Sequence, residues 1–311
     1  MSDSSSSSLP EPVLPAAATE ASRQRFDVAL ALAETCPLKL GRELAITGST
    51  ARGLADDHSD LELNLWDSEL PPVEARVEWL EDAGLTDIIV YDQPRPDESY
   101  WIGGVAIDIP VEVGWQTFRA LEDRLSVLRA GTITNRKALA LADIVASAIP
   151  LRSNGNLARW QNMLGKYADP LQAALVELAV GLWAGRGRIN RAIKLAENHE
   201  RLLLVEHLSA DVDALLRLIY AVYRRWEPQR KWTQSVARTF VTQPADLDGR
   251  IDAVFGAPPR DSVILWLELA LEVLDLVPDR YDVHEVVAEF SAALQALKAV
   301  PTDTADPADL G

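Results

Sequence analysis

Residues 46–65 read I-T-G-S-T-A-R-G-L-A-D-D-H-S-D-L-E-L-N-L, and two chemical demands meet in them. Residues 43–47 (ELAIT) form a short apolar run that stops at Gly48-Ser49. A strand ending there and turning into a short helical turn offers backbone donors, a hydroxyl and a partial positive charge to a triphosphate. Gly48 lets backbone approach phosphate closely, and Gly53 closes the turn. Further on, D-L-E-L-N-L (60–65) alternates strictly. A strand with that period puts Asp60, Glu62 and Asn64 on one face and Leu61, Leu63 and Leu65 on the other. Two carboxylates two residues apart suit hard cations, which take oxygen ligands. Ser59 stands where it can orient the first of them.

Around this stretch the first half of the chain alternates strand and helix signals. A helix is expected over 22–35, ending near Cys36-Pro37, and another over 72–83, from Pro71-Pro72 to Gly84. Residues 86–91 (TDIIVY) read as a strand, and a polar QPRPD loop follows. From Tyr100 to Val113 the chain is β-like, with Gly103-Gly104 and Pro110 as breaks, and reads as two strands around a bend. From residue 116 onward every periodic segment is helical. Helices are expected near 116–129, 134–148, 156–164, 170–185, 188–207, 211–226, 230–241, 246–254, 260–277 and 283–298. Strands first and helices afterwards imply an α+β chain, with a mixed sheet and flanking helices over 22–130 and an all-α helical bundle over 131–299. The Ser-, Pro- and Ala-rich start (1–21) and the tail (300–311) read as disordered arms.

The bulk numbers restrict the partners. A formal charge of -17 argues against gripping long nucleic acid, which basic patches do. The single cysteine, Cys36, excludes an intramolecular disulfide and suits a reducing compartment. The start lacks a basic region followed by an apolar stretch, so it does not read as a signal peptide. The most apolar long stretch, 262–277, is interrupted by Glu268, Glu272 and Asp275 and reads as an amphipathic helix, not a membrane span. A cytoplasmic location is the expectation. Four histidines at no ligand spacing make a zinc site improbable, and no nucleophile triad stands out.

Gly-Ser, a variable stretch near ten residues, then Asp-x-Asp/Glu on the next strand is a pattern that resembles the DNA polymerase beta-type nucleotidyltransferase superfamily. G-S-T-A-R-G followed by S-D-L-E is similar to kanamycin nucleotidyltransferase-like small-substrate adenylyltransferases, which also use Asp-x-Glu. The motif covers about twenty residues, and the order of an α/β part before a helical part extends the resemblance loosely over the chain. The resemblance implies a nucleotidyltransferase-type sheet over 22–130 and transfer of a nucleoside monophosphate, AMP from ATP, to a hydroxyl with release of pyrophosphate. It implies Mg2+, as two ions, with ATP or another NTP as co-substrate. Gly48 and Ser49 would hold the triphosphate, with Arg52 within reach of a phosphate, and Asp60 and Glu62 would hold metal.

The superfamily adds a third acid on a neighbouring strand. Asp108 (in VAIDIP) and Glu112 (in PVEVGW) both qualify, and the V-E-V context favours Glu112. In antibiotic-modifying relatives a helical-domain glutamate serves as general base. Asp143 is nearest by position, in surroundings that do not match, so the base is unassigned. The acceptor implied is a small molecule, an antibiotic among the candidates. The alternatives are the same chemistry on a protein or tRNA in a toxin-antitoxin setting, or a degenerate non-catalytic nucleotide binder. The cations of A-V-Y-R-R-W-E-P-Q-R-K-W (221–232), Arg224, Arg225, Arg230 and Lys231, are candidates to face a cleft or to close the end of a helix. Arg186 and Arg188, in W-A-G-R-G-R, are further ones.

Overall fold

The structure, a computed structural model, describes residues 11–240 and 244–299. The chain divides into two compact units, Met1–Arg129 with Lys137–Lys166, and Ala130–Arg136 with Tyr167–Gly311. The first is a sheet unit and the second is helical.

The sheet unit runs α1 (Glu20–Thr35), β1 (Glu43–Thr47), α2 (Gly48–Ala51), β2 (Leu61–Asp67), α3 (Val73–Asp82), β3 (Thr86–Val90), β4 (Tyr100–Ala106), β5 (Ile109–Thr117), α4 (Phe118–Arg129), α5 (Arg136–Ser147), β6 (Ile149–Arg152) and α6 (Asn156–Leu164). The six strands form one sheet in the order β3-β4-β5-β2-β1-β6. β2 and β5 run parallel and the other neighbours antiparallel, so the sheet is mixed.

Period-2 alternation gives the sheet two unlike faces. On one, Leu61, Leu63 and Leu65 of β2 join Leu44 and Ile46 of β1 and Val111, Val113 and Trp115 of β5 in a core that includes Leu32 of α1 and Trp79 and Leu80 of α3. Trp115 donates its indole N–H to the Leu40 carbonyl at 3.1 Å, and Trp79 donates to Thr35 Oγ1 at 3.2 Å, so both rings bury without stranding their polar edges. The other face carries Thr47, Glu62, Asn64, Trp66, Glu112, Gly114 and Gln116. Trp160 of α6 covers one end of it by meeting Trp66 and Phe118 edge-on, with ring centroids 5.9 and 5.6 Å away.

Several boundaries depart from the sequence reading. The expected disordered arm is ordered over its later part, because Ala18 and Ala21 are buried and Thr19 caps α1. Residues 1–10 and the tail 300–311 lie outside the described residues. The stretch beyond 116 is not wholly helical. Ile149–Arg152 forms β6, which pairs antiparallel with β1 at the sheet edge. Glu43 of β1, fully buried, accepts the backbone N–H groups of Asn154 and Asn156 at 3.1 and 2.9 Å. Lys137–Lys166 therefore falls in the sheet unit, against the boundary expected at 130/131.

The helical unit holds α7 (Asp169–Trp183), α8 (Arg186–Glu197), α9 (Arg201–Val222), α10 (Arg230–Ala237), α11 (Leu247–Gly256), α12 (Pro259–Asp275) and α13 (His284–Ala299). The rings of Trp183, Trp266 and Phe290 meet at its core. The single helix expected over 188–207 is broken at Asn198-His199, where His199 takes a positive φ of 57° and Glu200 donates back to the Leu195 carbonyl at 2.9 Å. α9 then runs on through the break expected after 207.

Candidate active site

β1 and β2 pair with Thr47 opposite Glu62, and β2 and β5 pair with Glu62 beside Glu112. The register alone thus sets two carboxylates side by side on the open face. Asp60, one residue before β2, shares that face. Single carboxylate oxygens of Asp60, Glu62 and Glu112 all lie within 4.8 Å of one another, and all three residues are half-buried.

Gly48 sits directly over this cluster. It follows Thr47, has a φ of 67°, and a Cβ placed on it would overlap the Glu62 carboxylate. Only glycine allows both that conformation and that approach. Ser49 follows in the single turn of α2, almost wholly buried at 4% exposure. The residues fit a hard divalent cation: three carboxylates converge, and oxygen donors are what such an ion takes. One cation already touches the cluster, since Arg95 Nη2 lies 2.9 Å from Glu112 Oε2.

Asp108 is elsewhere. Ile107 and Asp108 form the two-residue turn between β4 and β5, exposed and both at positive φ (49° and 63°). Asp tolerates that left-handed conformation, which the tight turn requires. Four residues along β5 from Glu112, it stands roughly 13 Å away by strand rise. Glu112, and not Asp108, joins the cluster.

Arg52 turns inward instead of reaching out to a ligand. Its Nη1 donates to the Gly48 carbonyl at 2.6 Å and its Nη2 forms an ion pair with Asp143 of α5, both side chains largely buried. Burial pushes the Asp143 carboxyl above its ordinary range, and the Arg52 guanidinium pulls the other way. The pair pins the backbone of the glycine turn to α5. Ser59 does not orient Asp60. Its hydroxyl donates to Asp56 Oδ1 at 2.8 Å, a bond that chiefly holds the exposed Asp56 below the usual carboxylate range. His58 is an exposed loop residue.

The sequence reading missed how the 53–59 loop is fixed. Arg25 of α1, 3% exposed, donates Nε and Nη2 to the Ser59 carbonyl at 2.8 and 2.6 Å. Thr19 Oγ1 donates to the Ala55 carbonyl at 2.6 Å, and Ala55 N–H donates to Ser22 Oγ at 3.0 Å. The loop that delivers Asp60 is therefore stitched to the start of α1. Nothing local in 53–59 signals this, because every partner comes from thirty or more residues away.

The arginines of 221–232 carry partners within their own unit. Arg224 pairs with Asp169, Arg225 lies 5.9 Å from the Phe240 ring centroid, and Arg230 is 3.9 Å from Asp213. Arg188 pairs with the buried Asp211 at 2.5 Å. Among the described residues no helix is long and apolar enough to cross a membrane.

No protein-family model matches the chain, and no curated protein does. A crystal structure of a nucleotidyltransferase-like protein from Exiguobacterium sibiricum 255-15 aligns with 89% of this chain and 74% of its own, at 12% identity and a TM-score of 0.36. A likeness that weak leaves the reading to the site's own residues.

Proposed function

We propose that the sheet unit is a divalent-metal-dependent nucleotidyltransferase domain that moves a nucleoside monophosphate, AMP from ATP, onto a hydroxyl of a small-molecule acceptor. The observation that carries this is the convergence of Asp60, Glu62 and Glu112 beside a glycine turn whose missing side chain lets the Glu62 carboxylate pack directly against the main chain. Asp60, Glu62 and Glu112 would hold the cation, Mg2+ by the hardness of its donors. Such a cation would supply neutralisation of phosphate charge and a more acidic acceptor hydroxyl.

The chain's own residues do the rest by position. Gly48 lets the triphosphate lie close to the main chain, Ser49 offers a hydroxyl there, and the Arg52–Asp143 pair keeps the turn in place. The acceptor hydroxyl gives up its proton to solvent as its oxygen bonds to the α-phosphorus, the bond from that phosphorus to the bridging oxygen breaks, and pyrophosphate leaves. Catalysis in such transfers is mainly orientation and electrostatics, which a rigid sheet face supplies. The partners found for Arg188, Arg224 and Arg230 leave fewer free cations to grip a tRNA, which supports the small acceptor over the nucleic-acid one.

The test is incubation with ATP labelled at the α-phosphate and a cell extract, with and without Mg2+. Label should move to a small molecule only with Mg2+, and Asp60→Ala should reduce transfer by at least about a hundredfold, as loss of a metal-site group does. No transfer to any class of acceptor, together with no ATP binding, would sink the reading. Label on protein or RNA would correct the acceptor alone.

A further inference from the structure

We propose that Arg95 is the resident counter-ion of the carboxylate cluster, and that a divalent cation must displace its guanidinium from Glu112 to enter. The inference rests on the metal reading above and goes beyond it to how the site is filled.

Arg95 lies in the loop between β3 and β4, and that loop is held by contacts that do not involve Glu112. Arg95 N–H donates to the Ser99 carbonyl and Glu98 N–H to the Arg95 carbonyl, each at 2.8 Å. Asp97 takes the Ser99 hydroxyl on its carboxylate and the Gln116 side-chain amide on its carbonyl. The backbone is anchored, and the side chain alone reaches over the cluster.

Trp101 is the platform beneath it. The guanidinium carbon is 3.9 Å from the Trp101 ring centroid, close enough for both stacking and cation–π attraction. Trp101 is itself fixed, because its indole N–H donates to Ser99 Oγ at 2.6 Å and its ring lies across Gly114, where a Cβ would come within 2.7 Å. Trp101 stands opposite Gly114 in the β4–β5 pairing, and Gly103 stands opposite Glu112 two residues along each strand. The platform and the carboxylate therefore share a sheet face by register.

Among the described residues Glu112 is the only acceptor that the Arg95 guanidinium takes, through Nη2 at 2.9 Å. That same carboxylate is one of the three converging groups. A cation coordinated by Glu112 and the guanidinium bonded to it would repel each other at close range. The Arg95 side chain is 42% exposed, so the ion pair is screened and weak enough to exchange.

The measurement is a titration of nucleotide-free protein with Mn2+, followed by the electron paramagnetic resonance of the free ion. Arg95→Ala should bind Mn2+ tighter by on the order of two- to fivefold, the range that a partly exposed ion pair supports. Arg95→Lys, which keeps charge but loses the flat stack, should fall between, and it carries the test if the alanine variant fails to fold. In parallel, Mg2+ should give a saturable change in tryptophan emission in the wild type that Arg95→Ala and Trp101→Phe both lose. Mn2+ affinity that Arg95→Ala leaves unchanged or weakens overturns this proposal alone, as does wild-type emission indifferent to saturating Mg2+. No Mn2+ binding by any of the proteins overturns the metal reading and this proposal with it.

Discussion

In the helical unit Glu227 is buried between Arg136 at 3.1 Å and Arg217 at 3.2 Å, and both arginines also pair with Asp213. In the sheet unit Asp60, Glu62 and Glu112 lie within 4.8 Å of one another and remain half open to solvent. The first cluster carries its neutralising charges on rigid helices, so its acids are internal fasteners. Burial pushes the Glu227 carboxyl above its ordinary value, against the pull of Arg136 and Arg217. The second gathers like charges, with the partly exposed Arg95 paired to Glu112. Acids that an architecture crowds together at a half-open surface point to a mobile cation, whereas acids buried among arginines point to structure.

The largest effect that tests this contrast is on the buried cluster. Glu227→Ala leaves two arginines with only Asp213 as a shared partner and should lower stability by about 3 kcal/mol, the low end for a broken buried pair because both keep that acid and some water. Chemical denaturation measures it, and Mn2+ affinity should not move. A loss below about 1 kcal/mol would make this cluster no different from a surface pair and erase the contrast. Gly48→Ala should come next. A left-handed residue with a Cβ costs about 1–2 kcal/mol, and the displaced Glu62 carboxylate should weaken Mn2+ binding as well. A variant that loses stability but binds Mn2+ normally would detach Gly48 from the metal site. The smallest effect should have the opposite sign. Asp60→Asn relieves repulsion among the three acids and should raise metal-free stability by about 0.5 kcal/mol. Saturating Mg2+ should then reverse the order, since the wild type alone gains from the bound ion. Destabilisation by Asp60→Asn without metal would mean that the cluster is internally satisfied.

The parts of this site legible in the sequence are those that depend on local period. Asp60-x-Glu62 shares a face because strands repeat every two residues, and Leu61, Leu63 and Leu65 name the other face. The choice between Asp108 and Glu112 was legible in part, since the V-E-V context favoured Glu112 while both acids stayed candidates. It turns on a hairpin bend at Ile107-Asp108, which lacks the Asn-Gly or Asp-Gly pair that usually marks such a turn. β6 was hidden for a related reason, since I-P-L-R is four residues long, contains a proline, and becomes a strand only by pairing with β1 a hundred residues earlier. Arg52 read as within reach of a phosphate because it stands in the glycine turn. Its burial depends on Asp143, which no spacing rule connects to it. Arg25 and Arg95 went unread in the same way, each being defined by partners in a distant segment.

The edge strand β6 has a practical corollary for dissecting the protein. The chain passes from one unit to the other at Arg129, returns after Arg136, and leaves again at Lys166. No single cut separates the two units. A fragment stopping at Arg129 would strip β1 of its neighbour and expose an unpaired row of backbone donors and acceptors, an invitation to aggregate. It would also delete Asp143 and the residues that satisfy Glu43. The shortest piece carrying the complete sheet unit ends near Lys166, and it must take the seven residues Ala130–Arg136 along as a passenger segment.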